Sequence, residues 1–241
     1  MIILQADAME NKYEIRNSSD QLIFSCNDFI ECYDFLGTRG YYWYAFVGVS
    51  QQNVNLIIDE ETYSINNSQF AGRLDSEFTV QKIIKSHNIL YAGLYLSGGM
   101  YKRGALSLLK TANEFEERVW LDMKGSLKLI YISASYLKNG FPRTLDKETI
   151  VIEGKYIQDY YAFFCELGYA FRGNFGYMGW NLAGVSDLLL DLARNRTINI
   201  IWKDSDLSFK AIENTVPESR YQSVSSDIVM TLKEYCNVIL E

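Results

Sequence analysis

The sequence predicts an α+β chain: a mainly β part over residues 1–140, then an α/β part over residues 146–241 with a three-stranded parallel sheet packed with helices. Three observations predict it. The first half is dominated by short runs of aromatic and β-branched residues separated by Asn, Ser, Gly and Asp, the pattern of strands and turns. The segment LKNGFPRTLDK, Leu137 to Lys147, combines Asn-Gly, one of only 2 prolines and several charges, and reads as a linker. Beyond it strand-like and helix-like runs alternate, an order that implies a small parallel sheet with helices against it.

Taken in order, strands are expected at Lys12–Arg16 (KYEIR), Gln21–Cys26 (QLIFSC), Tyr41–Val49 (YYWYAFVGV) and Val54–Asp59 (VNLIID). Ile89–Ser97 (ILYAGLYLS), Arg118–Met123 (RVWLDM) and Leu127–Ser133 (LKLIYIS) continue the series. Among them Gly104–Phe115 predicts a helix, with Leu106, Leu108 and Leu109 toward one side. No internal repeat is evident. In the second half Thr149–Gly154 predicts a strand, and Ile157–Phe171 a helix that offers Phe163, Phe164 and Leu167 to a core. A loop rich in glycine and aromatics follows. Asn181 is placed to cap the next helix, whose Leu182, Val185, Leu188, Leu189 and Leu192 recur at helical spacing. Thr197–Trp202 (TINIIW) reads as a strand covered on both faces, with Trp202 in the core. A short charged turn or helix over Asp204–Lys210 comes next. A helix over Ser223–Cys236, carrying Ile228, Leu232 and Tyr235, and a strand over Asn237–Leu240 close the chain.

Composition narrows the function. Apolar residues make up 48% of the 241 residues and charged ones 22%, which supplies a core and argues against long disordered tails. No apolar run is long enough for a membrane span, and MIILQADAMENK lacks the basic and apolar regions of a signal peptide. A soluble, cytoplasmic protein is expected. The net charge of −7 disfavours nonspecific nucleic-acid binding and favours a basic partner. Residues 146–241 hold 9 Lys+Arg against 14 Asp+Glu, and residues 1–145 hold 14 against 16, so the excess leans to the second part. Cys26, Cys32, Cys165 and Cys236 form no CxxC pair and are expected to be reduced and buried. His87 is the single histidine, with no metal-ligand spacing around it, so no metal and no cofactor are expected.

The second part is identified by its motifs as resembling the barstar family, intracellular inhibitors of secreted ribonucleases of the barnase type. TIVIEGKYIQDYYAFFCEL resembles that family's first strand, turn and first helix. YMGWNLAGVSDLL resembles its signature of an aromatic pair, glycine, any residue and asparagine, followed by a helix bearing acids, with Tyr177, Gly179, Asn181, Asp187 and Leu189 on matching positions. INIIWKD and the final helix with NVIL resemble the remaining strands and helix. The chain departs from the pattern at Met178, Trp180, Ala183 and Gly184; Ala183 stands where the family carries the first helix acid, and Asp187 is the acid retained.

The resemblance implies an inhibitor that fills a phosphate-binding cleft, which presents Arg, Lys and His, with a carboxylate on a rigid helix. Asp187 takes the place of phosphate, and Tyr177 and Trp180 supply stiff aromatic contacts. The partner-binding set implied is Asn174, Tyr177, Gly179, Trp180, Asn181, Gly184 and Asp187, with Asp227 or Glu234 as a second carboxylate from the last helix. The absence of Lys and Arg between Gly173 and Ala193 fits such a surface. The function expected is immunity-type inhibition of a basic secreted ribonuclease or nuclease toxin, without catalysis. The alternative is an adaptor whose second part binds a partner that is not a nuclease, with the β part as the main functional unit.

Overall fold

Seven short strands of alternating pattern build the first of two sheets in the computed structural model, which describes residues 13–32, 42–50, 61–67, 78–96, 101–112, 117–194, 196–216 and 224–241. They are β1 (Tyr13–Asn17), β2 (Leu22–Cys26), β3 (Asp28–Glu31), β4 (Tyr42–Val47), β5 (Thr62–Asn67), β6 (Phe78–Ser86) and β7 (Ile89–Leu96). Every pairing is antiparallel and the order is β2-β1-β5-β6-β7-β4-β3. Alternation sets the faces: Tyr13, Ile15, Tyr63, Ile65, Phe78 and Val80 are buried, and the residues between them are not. Three of these strands, β3, β5 and β6, were not expected from the sequence. The expected strand at Val54–Asp59 lies outside the described residues.

The sheet curls until its ends meet. β2 and β3 stand at opposite ends of the order, yet only Asn27 separates them, so one bent strand pairs with β1 through its first half and with β4 through its second. Asn27 N–H donates to the Val47 carbonyl at 2.9 Å, and Ser50 N–H to the Ser25 carbonyl at 2.9 Å. Aromatic rings pack across this closure: Phe24 lies 5.2 Å from Phe46, and Phe29 lies 5.0 Å from Tyr44. Closing the sheet removes the exposed edges that an open antiparallel sheet would present.

The chain divides into two units, Met1–Tyr101 and Lys102–Glu241. The second contains α1 (Ala105–Thr111), 3-10 turns at Val119–Asp122 and Gly125–Leu127, and α2 (Lys128–Asn139). Then come β8 (Thr149–Glu153), a 3-10 turn at Gly154–Tyr156, α3 (Tyr160–Arg172), α4 (Leu182–Ala193), β9 (Ile198–Lys203), α5 (Ser205–Glu213), α6 (Val224–Tyr235) and β10 (Cys236–Leu240). The three strands form a parallel sheet with β9 in the middle. Ile150, Ile152, Ile198, Ile200 and Trp202 are fully buried on its inner face. Asn199 and Ile201 are half-buried, so β9 is completely covered on one face only, where coverage of both had been expected.

Two expectations are corrected here. Arg118–Met123 forms a 3-10 turn and Leu127–Ser133 opens α2, where strands were expected. The Ile and Tyr content of LKLIYIS favours a strand locally, but helical spacing lets Tyr131, Ala134 and Leu137 reach the core together, and packing overrides propensity. For the same reason the division between units falls at Tyr101/Lys102 and not in the Leu137–Lys147 segment, because α2 packs on both α1 and α3.

Ion pairing reinforces that packing. Residues 102–145 carry 8 Lys+Arg against 4 Asp+Glu, and two of the cations end buried against α3 and its cap. Arg118 forms a two-pronged bond to Glu166, at 2.9 and 3.2 Å, and its guanidinium sits 4.0 Å from the centres of both the Tyr156 and Tyr169 rings. Burial pushes the Glu166 carboxyl pKa above the usual value even with Arg118 beside it. Lys128 Nζ donates to Asp159 Oδ2 at 2.7 Å, while Asp159 Oδ1 caps α3 through Ala162 N–H at 2.8 Å.

Candidate functional site

The segment Gly173–Asn181, between α3 and α4, is held tightly from below. Gly173 N–H ends α3 on the Tyr169 carbonyl at 2.7 Å. Phe175 adopts φ 54°, a left-handed conformation that a bulky residue holds only under support. The support comes from α2: Tyr131 Oη accepts from Phe175 N–H at 2.8 Å, the two rings stack at 5.0 Å, and Asn139 Nδ2 donates to the Phe175 carbonyl at 2.6 Å. Gly176 lies against Gly168 of α3 so closely that a Cβ on either would overlap the other's carbonyl.

Gly179 then turns the chain into α4. Its φ of +97° is one that L side chains avoid, and a Cβ there would sit 2.8 Å from the Val185 nitrogen. Asn181 Oδ1 accepts from Gly184 N–H at 2.8 Å and caps α4 as the sequence predicted. A Cβ on Gly184 would come within 3.3 Å of that same oxygen, so a small residue suits the position.

The expected partner-binding residues fall into two groups. Asn174 is half-buried and its Oδ1 lies 3.5 Å from the Tyr131 hydroxyl. Tyr177 is only 3% exposed, with the Tyr136 ring at 5.4 Å and the Phe141 ring at 6.0 Å, and burial pushes its hydroxyl pKa well up. A contact through Tyr177, as the resemblance implied, is therefore corrected: α2 and the turn after it cover this ring. Gly179 is buried, and Asn181 and Gly184 are spent on the turn and the cap.

Exposure gathers on α4 instead. Ala183, Asp187, Leu190 and Asp191 form one outward stripe, with Trp180, 39% exposed, at its start. Asp187 makes no ion pair or hydrogen bond among the described residues. Asp191 lies 3.5 Å from Arg194. From α6, Tyr235 Oη bonds to Ser186 Oγ at 2.9 Å and donates to Glu234 Oε1 at 3.1 Å, so Glu234 is tied to the same helix pair. Glu234 is exposed, whereas Asp227 is half-buried in the first turn of α6. Sequence reasoning missed Phe141, Leu190 and Met230, which are 55%, 52% and 61% exposed. Helical spacing from Asp187 points to Leu190; the linker reading hid Phe141.

Among the described residues no group of three or more His, Cys, Asp or Glu side chains is placed to hold a metal ion. No helix among them is long and apolar enough to cross a membrane. The four cysteines are unbridged; Cys26, Cys165 and Cys236 are buried and Cys32 is half-buried. Comparison with known proteins gives no match: no protein-family model, no curated protein and no solved structure matches the chain.

Proposed function

We propose that residues 146–241 act as an inhibitor that blocks the active site of a basic secreted ribonuclease or nuclease toxin. The observation that carries this reading is the outward stripe of α4. It presents Asp187, exposed and unpaired among the described residues, beside the exposed Trp180, within a stretch that holds no Lys or Arg from Gly173 to Ala193. A carboxylate on a capped helix is a rigid substitute for phosphate, and a cleft built for phosphate supplies the cations to meet it. The parallel sheet and the two helices on each side of β9 agree with the order that the resemblance to the barstar family implies. Trp180 is the kind of residue that anchors interfaces, and the net charge of −7 favours rapid encounter with a basic enzyme.

A titration of the full chain against small basic secreted ribonucleases, barnase among them, tests the reading. Cleavage of RNA by a susceptible enzyme is expected to stop at one inhibitor per enzyme. A second reading, with the first unit as the main binding module, is favoured by Ile30, Ile84 and Tyr95, which are 43–50% exposed on its strands. If a bound partner stays with residues 13–96 and ignores Asp187→Ala, this second reading holds and the first does not.

A further inference from the structure

We infer that Phe141, outside the segment that resembles the inhibitor family, is an anchor of the partner-binding surface and takes the aromatic contact implied for Tyr177. The inference rests on the inhibitor reading and deepens it. Tyr177 is sealed at 3% exposure, and one of the rings sealing it is Phe141 itself, at 6.0 Å. Phe141 is 55% exposed, so the ring offered to solvent above Tyr177 is that of Phe141.

Its position is fixed before any partner arrives. Gly140 N–H donates to the Tyr136 carbonyl at 2.7 Å and ends α2 with φ 62°. Pro142, which follows, is buried and has its own φ locked by the ring. The Tyr136 ring backs Phe141 at 5.0 Å. A large aromatic held this firmly and still half in water loses little freedom on binding, which is the profile of an interface anchor.

The occupant is the active-site cleft of a basic ribonuclease. Such a cleft must hold a planar base as well as a phosphate, and an aromatic ring stacks as a base does. Charge separates the two roles. The acids face outward from α4, whereas the charges near Phe141 in sequence are Lys138, with Nζ 5.0 Å over the Phe175 ring, and the exposed Arg143. The contact at Phe141 is therefore apolar, and the ionic contact is at Asp187.

This gives the two residues different signatures. With a ribonuclease that the full chain inhibits, Phe141→Ala is expected to raise Kd by at least about tenfold, through faster dissociation, and to leave the salt dependence unchanged. Asp187→Ala is expected to raise Kd and flatten the salt dependence. Phe141→Leu, which keeps an apolar cover over Tyr177, guards against a folding defect and is expected to lose at least about fivefold. Thermal unfolding of each variant accompanies the binding data. Wild-type affinity in both Phe141 variants, with Asp187→Ala impaired, overturns the role of Phe141 and leaves the inhibitor reading standing. Failure of the full chain to inhibit any ribonuclease tested overturns both.

Discussion

Asn181 and Tyr177 sit four residues apart and do opposite work. Asn181 spends its side chain on the first turn of α4, so Asn181→Ala is expected to cost about 1 kcal/mol of stability, read as a shift in the urea midpoint. Tyr177 contributes by filling space between Tyr136 and Phe141. Tyr177→Ala is expected to cost about 3–5 kcal/mol by the same measurement, as for other large buried rings. The cap was legible in the sequence because a cap is a local pattern: a short polar side chain ahead of a helical repeat. The burial of Tyr177 was not legible, because the rings that cover it come from residues 136 and 141, which the sequence divides between a linker and the strand-rich half.

At the scale of elements, α2 is the piece that joins the two ways of reading the chain. Its local composition favours a strand, and only the core that it shares with α3 makes it a helix. The same core explains why the β8-to-β10 region does not stand apart from residues 102–145. Without Arg118, Glu166 is a fully buried carboxylate with no counter-charge, and Asp159 has the same relation to Lys128. Arg118→Ala is expected to destabilise the second unit by about 3–5 kcal/mol, read by chemical denaturation followed through tryptophan fluorescence. A fragment beginning at residue 146 carries both exposed acids of α4 but lacks both buried cations. It is expected to unfold at lower urea than the full chain; equal midpoints would show that α2 is an appendage. The strands β8, β9 and β10 and the helices α3, α4 and α6 were legible because each has an uninterrupted period of its own. The strands β3, β5 and β6 were not: Asp28–Glu31 is very short, and Thr62–Asn67 is rich in polar residues.

Over the whole molecule, two buried groups set the alkaline limit. Burial, with Asp28 nearby, raises the Tyr13 hydroxyl from 10.0 to about 12, and burial raises the Cys236 thiol from 9.0 to about 11. In each case the unfolded chain gives up its proton first. The stabilising contribution is therefore complete below pH 9 and is lost as pH climbs through 11 to 12. Urea midpoints are expected to fall steadily above pH 9, and Cys236→Ser is expected to remove the part that belongs to the second unit. A flat midpoint from pH 8 to pH 11 would contradict both assignments. The excess acid of the chain acts at longer range: it sets how fast a basic partner is met, while α4 sets how long that partner stays.

The dissociation constant of the complex with an inhibited ribonuclease, measured for the full chain and for Asp187→Ala at low and physiological salt, tests the central claim most directly. The claim predicts a loss of at least about 2 kcal/mol, near thirtyfold, with a shallower salt dependence in the variant. A change below about 0.5 kcal/mol at both salt concentrations would contradict it and remove α4 from the interface.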